Sequence, residues 1–281
     1  MSSWPAIALG TCFTLVLAVA AAAAEAAGAG DSIRAVEIYG TSLRVMLTDG
    51  RVLEGQDLAG ATISVAFLDE PQPRRIRLSA ITPDPMDSQG QVLLYDMQLL
   101  DPTTGAATPL CEHDVEGKHW AFPLRGQWDR NGGRISDNGF TLTCAADAQG
   151  KCVRFGYKPW KTIGDGISLA DYHQACVRMV RADYCGNRGT TKNGRLIDIY
   201  DRLGIQGESE SAGQDGLRFE AAWNTKGAVC VAHTRVPQNM TITGLARTCP
   251  RLRGRLGETA CTQTKAESGQ LGASLLFNRS R

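Results

Sequence analysis

His173 and Cys176 stand three residues apart in the run HQACVRM. On a helix that spacing puts both side chains on one face. An imidazole beside a thiol is the pairing that activates a cysteine as a nucleophile, so the chemistry at stake is cysteine-dependent acyl transfer. Two features weigh against it. A cysteine in mid-helix lacks the help that a helix N-terminus gives a thiolate, and Cys176 has company. Eight cysteines follow residue 110: Cys111, Cys144, Cys152, Cys176, Cys185, Cys230, Cys249 and Cys261. An even number of cysteines in an exported chain is expected to form a disulfide framework, here up to four bridges. Cys176 is then a half-cystine, and His173 with Cys176 is a catalytic pair only if the protein is an enzyme. Cys144 and Cys152 flank AADAQGK, a candidate hairpin tip that a bridge between them would close, with other pairings open. There is no Cys-x-x-Cys, which gives a zinc ribbon or thioredoxin-type redox site little support.

Other polar residues invite the same weighing. Asp183 falls on the apolar arc of the helix that carries His173 and Cys176. A buried carboxylate near a helix C-terminus opposes the macrodipole and must find partners. Backbone N–H groups of the loop CGNRGTTKNG, or an arginine such as Arg178 or Arg154, would supply them and pin the loop. Asn193, Asp198 and Asp201, and the stretch DRNGGRISDNG, hold oxygen ligands at suggestive spacing, but the order of an EF-hand loop is missing. Turn chemistry accounts for both sets. Trp120, Trp128, Trp160, Trp223 and Tyr157 would suit a sugar platform, although such aromatics are more often core. His113, His119 and His233 show no metal-ligand spacing. No metal and no cofactor is expected.

The elements that position these residues follow from the pattern. Residues 1–26 have an apolar run from Ile7 to Ala24, one charged residue at Glu25 and small residues at the exit, as in a cleaved signal peptide, with an uncleaved membrane anchor as the rival reading. Cleavage would remove the ninth cysteine, Cys12, and no later stretch is long and apolar enough to span a membrane. Residues 31–100 alternate in short runs broken by Asp49-Gly50 and by proline-containing loops, which predicts a small antiparallel β region. Residues 101–262 hold all eight of those cysteines. Within them SLADYHQACVRMVRADYCGN predicts the principal helix, capped by Ser168, stopped by Gly186, with Gln174, Arg178 and Arg181 on its polar side. FEAAWNTKGAVCV predicts a hairpin around Thr225 to Gly227, and residues 263–281 a flexible tail. Lys+Arg of 30 against Asp+Glu of 29 leaves a net charge of +1, no footprint for nucleic acid or an anionic membrane.

The runs KCVRFGYKPW, HQACVRM, RADYCGN, IDIYDRLGIQ and FEAAWNTKGAVCV together resemble the bacterial ADYC-domain family, whose motif stands here at Ala182-Asp183-Tyr184-Cys185. The resemblance implies a structural motif of Asp183, Tyr184, Cys185 and Gly186 and brings no established activity, substrate or cofactor. Relatives tend to carry Cys-Gly-Asp-Gly where this chain has Cys185-Gly186-Asn187-Arg188, so a metal relying on that acid would bind poorly here. HQACVRM also resembles the Ser-His-Gly-Cys-Val-Arg-Met signature of L,D-transpeptidases, but two residues separate its histidine and cysteine where the signature has one. The expectation is a mainly β, α+β protein with antiparallel sheets, one principal α-helix and stabilising disulfides. It would be secreted or periplasmic, with an unknown envelope or extracellular partner and no nucleic acid. A non-catalytic binding or structural role is expected ahead of a cysteine-dependent envelope acyl transferase.

Overall fold

A computed structural model describes residues 33–67, 70–211 and 213–281. The leader expected over residues 1–26, with Cys12, lies outside them. The described residues begin with three antiparallel strands, β1 (Ile33–Tyr39), β2 (Ser42–Leu47) and β3 (Val52–Glu54). Asp49 and Gly50 turn β2 into β3 as their residue types dictate. Gly50 takes a positive φ of 90°, and the Asp49 carboxylate accepts the Arg51 N–H.

A six-stranded antiparallel sheet follows: β4 (Thr62–Val65), β5 (Arg74–Pro83), β6 (Leu93–Leu100), β7 (Ala107–Pro109), β8 (Trp120–Trp128) and β9 (Arg134–Cys144). The spatial order is β4-β5-β6-β8-β9, with β7 pairing on β6. Leu43, Val45 and Leu47 alternate along β2 into a core shared with Ile76, Leu78, Tyr95, Phe122 and Leu124. Two hydrogen bonds fix the sheets to each other: the Leu43 N–H donates to the Tyr95 hydroxyl at 3.0 Å, and the Leu93 N–H to Thr41 Oγ1 at 2.7 Å. The division expected at residue 100 therefore falls inside a sheet. Where cysteines cluster says nothing about which strands pair, and β6 needs β8 from beyond that boundary.

The second half starts with α1 (Ala148–Arg154) and the ribbon β10 (Thr162–Ile163) and β11 (Ile167–Ser168), which delivers the chain into α2 (Leu169–Val180). Ser168 caps α2 by accepting the Ala170 N–H. Next come β12 (Ile197–Asp201), β13 (Arg218–Asn224), β14 (Gly227–Val231), α3 (Ile242–Thr248), α4 (Gln263–Glu267) and β15 (Leu276–Ser280). The four strands form an antiparallel sheet ordered β12-β15-β13-β14. Its residues alternate between two apolar layers. Ala221, Trp223, Ala228 and Leu276 join Ala175, Cys176 and Met179 of α2, while Ala222, Val229 and Phe277 join Cys261 and Ala266 on the other side.

The mainly β, antiparallel, disulfide-bridged architecture is present, with four differences in detail. Among the described residues α2 is the longest of four α-helices rather than a single principal one. It ends at Val180, before Gly186, because Ala182 already takes the left-handed turn. Its expected polar side is largely covered. Gln174 and Arg178 are buried, the Gln174 amide bonding the Arg134 N–H and the Gly132 carbonyl at the β8–β9 turn. The tail expected to be flexible supplies β15, whose Leu276, Phe277 and Asn278 are buried between two strands. The short run Leu275-Leu276-Phe277 gave too little periodicity to mark a strand.

Among the described residues three bridges form, each within one half: Cys111–Cys144 in the first, Cys152–Cys176 and Cys230–Cys261 in the second. Cys144 and Cys152 do not pair with each other. The segment between them starts α1 instead of closing a hairpin, which carries Cys152 across to α2. Bidentate Arg154–Asp84 and the Lys158–Asp87 pair at 2.7 Å tie the second half to the first.

Candidate functional site

The Ala182–Cys185 motif is built from the way α2 stops. The Asp183 N–H donates to the Arg178 carbonyl at 2.8 Å and the Ala182 N–H to the Met179 carbonyl at 2.9 Å, the double bond pattern of a Schellman turn. The left-handed position of that turn usually belongs to glycine. Here it holds Ala182 at φ +49°, the one non-glycine with positive φ among the described residues. The backbone cost is about 1–2 kcal/mol, and the buried methyl packs into the α2 core in return.

Ending the helix this way throws Asp183 inward, fully buried. Its Oδ1 accepts the N–H groups of Gly186, Asn187 and Arg188, each at 2.8 Å, and its Oδ2 accepts Arg178 Nη1 at 2.6 Å. One carboxylate thus folds the following loop around itself while its charge is matched. Gly186, at φ +86°, lies so close to the Lys226 carbonyl that a Cβ would run into it.

Tyr184 points the other way, into the second sheet, stacked on Trp223 at 5.3 Å between centroids. Its hydroxyl donates to Glu220 Oε1 at 2.9 Å and accepts the Arg235 N–H at 2.8 Å. Glu220 and Arg235 form a buried pair with contacts of 2.9 and 3.0 Å, and Asn278 Nδ2 donates to the same carboxylate at 2.8 Å. Burial alone would raise the Glu220 carboxyl. Arg235 first, then hydrogen bonds from Ser280 and Asn278, hold it below the ordinary range. Burial, with the Glu220 charge, pushes the Tyr184 phenol well up, so it stays a neutral donor. Arg235 also donates to the carbonyls of Met179 and Val180, which caps the C-terminus of α2. Glu220, Arg235 and Asn278 escaped the reading of the sequence. The available signal was Glu220 itself, a carboxylate inside the apolar run FEAAW, where a buried strand tolerates no unpaired charge.

Cys185 is half-buried and unbridged, and its neighbour is the buried, likewise unbridged Cys249, the residue that ends α3. Burial, and then the neighbouring Cys249, push the Cys185 thiol up to about 12, against the pull of Arg251. Beside it opens a cavity of about 290 Å³ between the loop and α3, lined by Cys185, Asn187, Arg188, Met240, Leu245 and Thr248. That volume is at the small end of ligand pockets.

His173 and Cys176 do share a face of α2, but away from this cavity. Cys176 is bonded to Cys152. His173 is fully buried, packed edge-on against Trp128, and its Nε2 donates to the Gln149 carbonyl at 3.1 Å. Burial lowers its pKa to about 4, so the imidazole is neutral. The remaining candidates are scattered. Asp201 spends its carboxylate on the N–H groups of Leu203, Ile205 and Gln206 and on the Tyr157 hydroxyl, and Asp198 on Ser209 and Arg279. Asp129 organises the turn at Asn131 and Gly133. Trp128, Trp223 and Tyr157 are core residues, so no aromatic platform is assembled from them. Among the described residues no three His, Cys, Asp or Glu side chains converge as metal ligands.

With this geometry in view, the sequence model of the ADYC domain matches residues 55–237, more than half of the chain. The protein belongs to the ADYC-domain family. The match takes in the six-stranded sheet from β4 onward, α1, α2, the motif turn, β13, β14 and Arg235. Searches of curated proteins and of solved structures each return no match.

Proposed function

We propose that the protein works outside the cytoplasm, secreted or in the periplasm of a bacterial envelope, as a non-catalytic binding or structural module. The recognition surface would be the ADYC turn and the cavity it shares with α3. The observation that carries this reading is the state of the one cysteine–histidine pair that could have formed a nucleophilic centre. Cys176 has its sulfur in a bridge with Cys152, and His173 is a neutral core donor with no route to a substrate. Support also comes from the ADYC motif, where the charges of Asp183, Glu220 and Arg235 are matched within the fold, as in a scaffold. Three bridges in one chain fit an oxidising compartment. Among the described residues no helix is long and apolar enough to cross a membrane.

The test is fractionation of the full chain expressed with its leader, followed by iodoacetamide labelling of the folded protein without reductant. The expected result is protein in the exported fraction with Cys176 unlabelled and recovered as a Cys152–Cys176 peptide pair. Label on Cys176 of folded, exported protein would restore the acyl-transfer reading. Retention of the full chain in the cytosol would remove the export reading.

A further inference from the structure

Of the eight cysteines in the described residues, six are bridged and two are not. The two are neighbours: Cys185 leaves the ADYC turn beside the cavity, and Cys249 ends α3 directly after Thr248, which lines the same cavity. Cys152, Cys176, Cys230 and Cys261 are all sealed in the core, whereas Cys185 lines a cavity of about 290 Å³ and is half-buried. Disulfides that an outside sulfur can reach are the exchangeable ones, and sealed bridges resist reduction. Two positive charges stand near the entry sulfur: exposed Arg188 lines the cavity, and the Arg251 charge acts on the Cys185 thiol.

We propose that Cys185 and Cys249 form a thiol–disulfide exchange site that reacts, through the cavity, with a low-molecular-weight anionic disulfide or thiol. In the oxidising direction the Cys185 thiolate attacks one sulfur of an external disulfide. A bond forms between Cys185 and that sulfur, and the other half leaves as a thiolate. Cys249, as its thiolate, then attacks the Cys185 sulfur, forms the Cys185–Cys249 bond and expels the second half. Two protein thiols and one external disulfide become one protein disulfide and two external thiols. Two electrons pass to the external sulfurs, and the two protons released by the cysteines end on them. The reverse sequence reopens the pair. Cys185 is the entry sulfur because it faces the cavity, and Cys249 resolves because it is buried behind it. The closed bridge ties the ADYC turn to the end of α3 and so links the two walls of the cavity. This inference stands apart from the export reading: any external disulfide of this class serves, in any compartment.

The experiment equilibrates the full mature chain with reduced and oxidised glutathione over a range of ratios. Acid quenching, N-ethylmaleimide trapping and peptide mass spectrometry follow. Cys185 and Cys249 are expected to interconvert between doubly labelled and bridged forms, while Cys152–Cys176 and Cys230–Cys261 stay bridged throughout. Cys249→Ser should trap one glutathione on Cys185, and Cys185→Ser should take up none, both with far-UV circular dichroism of the wild type. The rate of trapping in Cys249→Ser should rise with pH between about pH 7 and pH 9, since the thiolate is the attacking form. The proposal is overturned if folded Cys249→Ser stays unmodified at Cys185. It is also overturned if glutathione enters first at Cys249, or if the pair exchanges no more readily than the two sealed bridges.

Discussion

Replacing His173 by glutamine tests whether this histidine is a packed core donor or a base held ready. In the unfolded chain a histidine takes its proton near pH 6.5, whereas burial against Trp128 lowers the folded value to about 4. Between those values the unfolded chain binds the proton and the native chain does not, so stability falls as the pH falls. The native state carries no such penalty above about pH 6.5, and the full penalty is reached near pH 4. The gap between 6.5 and about 4 is worth about 3 kcal/mol, of which ~2 kcal/mol develops between about pH 7.5 and pH 5. His233, also lowered chiefly by burial, titrates in the same direction, so the variant supplies the necessary subtraction. Glutamine keeps an N–H donor for the Gln149 carbonyl and has no proton to gain. Urea unfolding of the oxidised protein at both pH values should show wild type losing ~2 kcal/mol more than His173→Gln. Equal losses in the two proteins would refute the neutral buried imidazole, and with it the argument that the Cys–His pair is structural.

Asp183→Ala should lower stability by roughly 2–4 kcal/mol in the same assay, because it strands the Arg178 guanidinium and three loop N–H groups. Asp183→Asn, which keeps an oxygen for the loop, should cost less. Gly186→Ala should cost clearly more than Gly194→Ala. Both force alanine into a positive φ, at about 1 kcal/mol or more, but only Gly186 faces a backbone carbonyl. Truncation after Ser274 should abolish cooperative unfolding of the second sheet, since β12 loses its neighbour and β13 loses one of two. Near-ultraviolet circular dichroism and limited proteolysis would report it.

The parts of the fold that local pattern dictates were legible. Asp49-Gly50 and Thr225 to Gly227 fixed hairpins through turn chemistry, Ser168 marked the start of α2, and the apolar arc placed His173, Cys176 and Asp183 inside. Asp183 met both kinds of partner that its burial demanded, backbone N–H groups and Arg178. What failed were features decided by distant residues. Gln174 and Arg178 look like a solvent face until the β8–β9 turn arrives to cover them. Gly186 looks like the natural helix stop, yet the core selects Ala182 because its methyl fills space there. Bridge partners depend on strand order, which spacing does not encode, so Cys144 pairs backward to Cys111 rather than forward to Cys152. The Glu220–Arg235 pair joins residues 15 apart whose meeting with Tyr184 is set by the sheet as a whole.

β15 lies between β12 and β13 although it is synthesised after both. Until it arrives, the slot between two waiting strands exposes unpaired backbone and the apolar surfaces that will receive Leu276 and Phe277. A growing chain therefore holds an open template for a foreign strand for as long as emergence of these residues lags. Cys230 and Cys261 are both made before β15, so their bond can tie β14 to the segment before α4 while the slot between β12 and β13 is still open. The final assembly step is then an insertion between strands made earlier, and its speed sets how long that template stays open.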